Sequence, residues 1–243
     1  MELIQSQLSR IIPIVYEDDC CIAFNKPSGL LVIPTPKRES HTLVDIVNQA
    51  ILPLQLSYRL HPCHRLDRDT SGIILFAKGK RNQKLLMDEF HKQMVKKQYI
   101  ALVHGRLKHP KGTIQSPVLD VDQRKFSRNA HPKRALTYYR LMASKKFYSV
   151  LEVSPQTGRT NQIRIHFSQI GHPLVGERKY AFAKDFALKF KRTALHASAL
   201  QWFHPVTKKM IRLEIPLAND MRDFIARHYR KTGFDEYNRD VIC

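Results

Sequence analysis

The densest run of charge in the chain is His64-Arg65-Leu66-Asp67-Arg68-Asp69-Thr70-Ser71-Gly72, and it leads directly into the apolar segment Ile73-Ile74-Leu75-Phe76-Ala77. A polar loop at the mouth of a buried strand is where a fold commonly presents reactive groups. Asp67 lies between Arg65 and Arg68, two cations that favour its ionised form. At neutral pH it is therefore available as a nucleophile or an electrostatic partner. The same spacing also suits a structural role, in which Asp69, Thr70 and Ser71 cap amides in a tight turn while Asp67 pairs with an arginine. A second polar run, Gln156-Thr157-Gly158-Arg159-Thr160-Asn161-Gln162-Ile163-Arg164-Ile165-His166, follows the strand-like SVLEV. Thr160 is placed to cap a short helix with the apolar stripe Ile163, Phe167 and Ile170, which Gly171 and Pro173 end. Arg164 falls off that stripe, on the side of Asn161 and Ser168. There a guanidinium can hold a carboxylate or phosphate bidentately, or simply face solvent.

These groups need a scaffold. CIAFNKPSGLLVIP reads as strand, turn and strand around Lys26-Pro27-Ser28-Gly29. Leu43 to Ile51 has helical spacing, with Thr42 as N-cap and Pro53 as stop. Ile73 to Ala77 is a buried central strand, and Asn82 to Met94 a helix with Leu85, Leu86, Phe90 and Met94 on one face. Tyr99 to His104, Ala135 to Met142 and Phe147 to Val153 predict an antiparallel meander. Ala194 to Phe203 and Met210 to Ile215 flank HPVTKK as a hairpin, and a closing helix carries Met221, Phe224, Ile225 and His228. The fold class expected is α+β: a mixed, largely antiparallel central sheet with flanking helices and long basic loops. The longest of these, Lys108 to Arg134, is poor in apolar residues and holds Arg124, Lys125, Arg128, Lys133 and Arg134, a composition suited to grasping nucleic acid with a mobile tip.

The 243 residues include 41 Lys+Arg against 21 Asp+Glu, a formal charge of +20 with a pI near 10.0. Such an excess on a chain that is 43% hydrophobic, and so able to form a core, points to a polyanionic partner, with nucleic acid first. Cys20, Cys21, Cys63 and Cys243 match no disulfide framework and read as reduced thiols. The N-terminal residues lack a cleavable signal, and no stretch is apolar and long enough to span a bilayer, so a cytoplasmic protein without membrane contact is expected. His61-Pro62-Cys63-His64 offers zinc-type donors, but the spacing is poor and no second ligand pair follows. GxSxG, P-loop and HExxH motifs are absent from the sequence.

HRLDRDTSGIILFAK, with NKPSGLLV before it and KKQYIALVHG, TGRTNQIRIHFSQIGHPLVG and LHASAL after it, resembles the RluA-type family of RNA pseudouridine synthases. The likeness runs from about Val15 to about Leu217 in matching order, and the five motifs together are far more specific than any one alone. It implies an isomerase that flips a uridine out of structured RNA, transfer or ribosomal. The enzyme then breaks the N-glycosidic bond, turns the base and rejoins it through carbon, without cofactor or metal. It implies that Asp67 is the catalytic aspartate, attacking either C1′ of the ribose or C6 of the base. It further implies that Arg65 fills the gap left in the RNA, that Tyr99 stacks on the uracil and helps remove the C5 proton, and that Arg164 pairs with the aspartate. An extruded base needs an aromatic platform and an apolar wall, which Tyr99 and Leu195 can supply. Asn161 stands where many members carry histidine, and Glu177-Arg178 follows GHPLVG where GD is common. Neither position is expected to touch the residues of the chemistry. A single catalytic domain over 1–243, working as a monomer with no separate N-terminal RNA-binding module, is expected. The rival class is a basic RNA-binding protein that grips RNA without changing it.

Overall fold

The computed structural model describes residues 2–35, 39–119, 131–181 and 188–229. Along the chain run α1 (Glu2–Leu8), β1 (Ile14–Glu17), β2 (Cys21–Lys26), α2 (Leu43–Ile51), β3 (Leu60–Pro62), β4 (Ser71–Lys78), α3 (Lys80–His91) and β5 (Lys96–His104). After them come β6 (Lys111–Gln115), β7 (Leu136–Ser144), β8 (Tyr148–Pro155), α4 (Gln162–Gln169), β9 (Leu195–Phe203), β10 (Met210–Glu214) and α5 (Asn219–Tyr229). The expected mixed architecture of largely antiparallel strands with flanking helices is the one adopted. The chain divides into two compact units, Met1–Lys97 with Ala197–Ile215 and Gln98–His196 with Pro216–Cys243.

In the first unit β2 pairs antiparallel with β1 and β4, β3 pairs with β4, and β9 pairs with β10. The continuous apolar run in β4 leaves all eight residues buried, as a central strand requires. Side chains two apart share a face, so Cys21 and Ala23, Ile73, Leu75 and Ala77, and Leu200 and Trp202 form one core with Leu86 of α3. Helix α2 begins with a capping box: the Asp45 amide donates to Thr42 Oγ1, and the Asp45 carboxylate accepts from the Thr42 amide. Its buried Asn48 acts as a piece of backbone, donating to Leu60 O and accepting from Leu60 N, both at 2.9 Å.

Two expectations in this unit are corrected. The run after the Lys-Pro turn is not a strand. Instead Leu31 O and Val32 O accept from the amides of Leu43 and Val44 and so serve the start of α2. Helix α3 starts at Lys80 and stops at His91, because Gly79 at φ +86° turns the chain into it and Gln93 adopts a positive φ after it. Met94 is exposed beyond its end.

In the second unit β5 pairs with β8, β8 with β7, and β7 with β6, all antiparallel. The expected meander of Tyr99 to His104, Ala135 to Met142 and Phe147 to Val153 is corrected: the meander is β6-β7-β8, its first strand lies within the Lys108 to Arg134 segment expected as a loop, and β5 pairs with β8. Met221, Phe224 and Ile225 of α5 are buried against Ile100, Leu102, Tyr148 and Val150, and His228 stacks on Phe224 at 4.1 Å, as the stripe predicts. The expected cap of α4 is corrected: the N-cap is Asn161, not Thr160, in the left-handed region at φ 54° with no side-chain cap bond. Ile170, expected on the buried stripe, is exposed at the helix end, and Ile165 is buried instead. The tip of the basic loop, including Arg124, Lys125 and Arg128, lies outside the described residues.

Candidate active site

Asp67 is half-buried in the loop ahead of β4, between buried Leu66 and exposed Arg68. The Thr70 amide donates to Asp67 O, closing the turn beneath it. The next peptide is anchored harder: Arg68 O accepts from the Gly29 amide at 2.8 Å and from Lys26 Nζ at 3.1 Å. Lys26 is fully buried and also donates to Pro27 O and Leu30 O, so one ammonium ties the Lys-Pro turn to the aspartate loop. Sequence reasoning quoted Lys26 within NKPSG and gave it no role. The signal was a lysine at the end of an otherwise apolar strand run, where alternation directs it inward.

On the other flank of the loop, His64 Nε2 accepts from the Leu75 amide of β4 at 3.1 Å, and its ring lies 5.1 Å from that of Phe90. Burial and the nearby Lys97 charge pull His64 down to about 3, which keeps it a neutral acceptor. At the loop's end Gly72 has φ +115°, and a Cβ there would meet Ala197 O at 2.3 Å. Only glycine allows β4 to start there. Arg65 is exposed two residues before Asp67.

The second unit carries the remaining candidates. Tyr99 is buried in β5 opposite Val153 of β8. Leu195 is buried at the start of β9, and its carbonyl accepts from Arg192 Nη1 at 3.0 Å, while the Arg192 guanidinium forks onto Asp220 of α5. Arg164 projects from α4 onto Glu177, with Nε to Oε2 and Nη2 to Oε1 both at 2.7 Å, and Nη1 donates to Asn161 Oδ1 at 2.8 Å. Burial pushes the Glu177 carboxyl up, but the Arg164 hydrogen bonds and charge, with the amides of Lys179 and Tyr180, hold it below the usual range. The expectation that Asn161 and the Glu177-Arg178 pair stand clear of the chemistry is therefore corrected, since Asn161 and Glu177 both touch Arg164. The fold brings Arg65 and Asp67 together on one loop of the first unit and sets Tyr99, Arg164 and Leu195 in the second.

Three thiols, Cys20, Cys21 and Cys63, are free and buried, and burial pushes Cys63 up to about 12; Cys243 lies outside the described residues. Among the described residues, Asp18, Cys20 and His204 offer metal-type donors within 4.8 Å of one another. His204 Nδ1, however, accepts from the amides of Val206 and Thr207, which puts its proton on Nε2 facing Asp18 at 3.2 Å, as a hydrogen bond and not an open ligand. No helix among the described residues is long and apolar enough to cross a membrane.

A model of the RNA pseudouridylate synthase family matches residues 21–169. The chain belongs to that family. It is 33% identical over 239 residues to the RNA pseudouridine synthase YhcT of Bacillus subtilis, covering 94% of this chain and 78% of the relative. It is also 33% identical over 225 residues to ribosomal large subunit pseudouridine synthase D of Haemophilus influenzae, covering 87% of this chain and 69% of the relative. Among solved structures, human RNA pseudouridylate synthase domain containing 1 matches at 26% identity with a TM-score of 0.64, over 84% of this chain and 82% of that one. Human RNA pseudouridylate synthase domain containing 4 shares the fold at a TM-score of 0.73 and 23% identity, over 93% and 95% of the two chains. The chain is an RluA-type RNA pseudouridine synthase, an isomerase acting on RNA.

Proposed function

We propose that Asp67 is the nucleophile with which this synthase isomerises specific uridines in structured RNA. The observation that carries the assignment is a half-buried carboxylate on a loop whose backbone is fixed by Lys26, Gly29 and Gly72. A group held in this way needs little reorganisation before attack. Whether Asp67 adds to C1′ or to C6, the N1–C1′ bond breaks, the uracil turns, and the C5–C1′ bond forms. The C5 proton leaves and N1 ends protonated, so the composition of the RNA is unchanged and neither metal nor cofactor is called for.

Tyr99 is assigned to stacking on the flipped uracil and to helping remove the C5 proton, Arg164 to pairing with Asp67, and Leu195 to the apolar wall of the base site. Arg65, exposed beside Asp67, is assigned to the space the base vacates, where it offsets part of the few kcal/mol lost on unstacking. The excess of 20 positive charges suits RNA phosphates and makes binding salt-sensitive. The substrate class is transfer or ribosomal RNA, and relatives named for the ribosomal large subunit put that RNA first in the test. Reduced, buried thiols suit a cytoplasmic enzyme, and it is taken to act as a monomer.

The test is to incubate the protein, without metal or cofactor, with unmodified large-subunit ribosomal and transfer RNA transcripts and to map pseudouridine by chemical labelling. Pseudouridine at a discrete uridine is expected. Tight, salt-sensitive binding with no pseudouridine in either pool would instead favour a protein that grips RNA without changing it.

A further inference from the structure

Arg164 is held far more firmly than an arginine at a helix start requires. Its fork onto Glu177 defines the plane of the guanidinium, and the Asn161 bond at Nη1 fixes it from a second direction. Each of these partners is itself immobilised. Glu177 is almost wholly buried, and its Oε1 also accepts from the amides of Arg178, Lys179 and Tyr180. That wrap is possible because Gly176 turns the chain at φ +79°, where a Cβ would meet Arg192 O at 2.0 Å. The loop returns to the helix bearing Arg164: Ser168 Oγ donates to Tyr180 O, and the Tyr180 ring lies 5.2 Å from the guanidinium carbon. The Asn161 side-chain oxygen accepts from Arg164 and makes no cap bond to α4, and the residue takes a left-handed conformation that asparagine tolerates better than most residues.

We propose that Glu177 and Asn161 are positioning residues for the isomerisation, setting the plane and reach of the Arg164 guanidinium before RNA arrives; this rests on the assignment of Arg164 to the reaction. A purely structural ion pair gains little from burial, because desolvation cancels most of its attraction. A pre-set guanidinium spares the reaction the cost of ordering a long, flexible side chain, and misplacement of such a group by about 1 Å costs on the order of 100-fold in rate. Asn161, one of the departures from the commoner family pattern, and Glu177, the residue before the other at Arg178, are then halves of one clasp.

The experiment uses full-length protein and a transcript carrying the mapped uridine. It measures kcat and KM, single-turnover rate and Tm for Arg164→Ala, Glu177→Gln, Asn161→Ala and Asn161→Gly. Arg164→Ala should be inactive. Glu177→Gln should lower kcat and the single-turnover rate about 10- to 100-fold, and Asn161→Ala about 3- to 10-fold, with KM within about threefold of wild type. Alanine is strained at the left-handed φ of Asn161, so Asn161→Gly, which accepts that conformation and equally lacks the side-chain amide, should keep the Tm of wild type with the same loss of kcat and decides the matter should Glu177→Gln unfold. If Arg164→Ala turned over normally, the assignment of Arg164 would fail and the clasp with it. If Arg164→Ala were inactive while Asn161→Gly and any folded Glu177→Gln kept kcat within twofold of wild type, the positioning role would be overturned and the assignment of Arg164 would stand.

Discussion

Replacing Gly72 by alanine tests whether the backbone beneath Asp67 is as tightly determined as its contacts imply. Gly72 is registered opposite Lys26, the residue that holds the Asp67 loop through Arg68 O. An alanine Cβ would lie 2.3 Å from Ala197 O, 2.6 Å from Ala197 N and 2.8 Å from Ala197 C, all of them backbone atoms that no rotamer change can move. The residue would also keep φ near +115°, which L side chains rarely adopt. Strain of about 1–3 kcal/mol for the dihedral and a similar overpacking cost give a loss of about 2–6 kcal/mol, or roughly 4–24 °C in Tm for a chain of this size. To relieve the contact, β4 must shift by about 1 Å relative to Ala197, carrying the aspartate loop with it, and a displacement of that order costs about 100-fold in turnover. Thermal denaturation by circular dichroism, together with single-turnover pseudouridine formation at a temperature where both proteins are folded, measures both effects. A Gly72→Ala protein with wild-type Tm and rate would refute the claim that this contact sets the loop.

Other consequences follow from the same contacts. Tyr99→Phe keeps an aromatic face and loses the hydroxyl, so RNA affinity should hold while turnover drops about 100-fold or more; normal turnover would end the proton-transfer role and leave stacking. Arg65→Ala removes an exposed side chain, so Tm should move by less than about 2 °C while turnover on folded RNA falls; a large loss of Tm would show that Arg65 is structural. His64 has a pKa near 3 in the folded chain, below its ordinary value of about 6.5 when unfolded, so the unfolded state binds the extra proton. Its contribution is present above about pH 6.5 and is lost as pH falls toward 3, so urea midpoints should decline over that range. His64→Gln, which retains an acceptor for the Leu75 amide, should flatten the decline; an unchanged slope would contradict the assignment.

The parts of the fold that were legible in the sequence are those where local pattern and burial agree. Ile73 to Ala77 is apolar throughout and became the buried centre of β4. Thr42 and Asp45 stand three apart and closed a capping box, and Met221, Phe224 and Ile225 kept helical spacing because α5 has one buried face. What escaped was decided by partners distant in the chain. Leu31 and Val32 look like a strand, but their carbonyls are taken by the start of α2. Thr160 suits a cap by residue type, yet the helix starts one residue later, at an Asn161 that accepts from Arg164 and makes no side-chain cap bond. Lys26 has no role in the sequence reading, because the three carbonyls that hold it come together only in the fold. The aspartate loop was found from its charge density, and the roles of Asp67, Arg65, Tyr99, Arg164 and Leu195 came from matched motifs. The clasp on Arg164 was not found, because Glu177 lies 13 residues away and nothing in its spacing marks it.

The most direct test of the central claim replaces Asp67 by asparagine, which preserves size and much of the hydrogen bonding but removes the nucleophile. On the mapped uridine, Asp67→Asn should form no pseudouridine even with enzyme in excess over RNA. It should bind that RNA within about threefold of wild type, since one carboxylate contributes little to an interface dominated by phosphate neutralisation. Turnover by Asp67→Asn near the wild-type rate would contradict the account, because the reaction would then proceed without the carboxylate to which it is assigned.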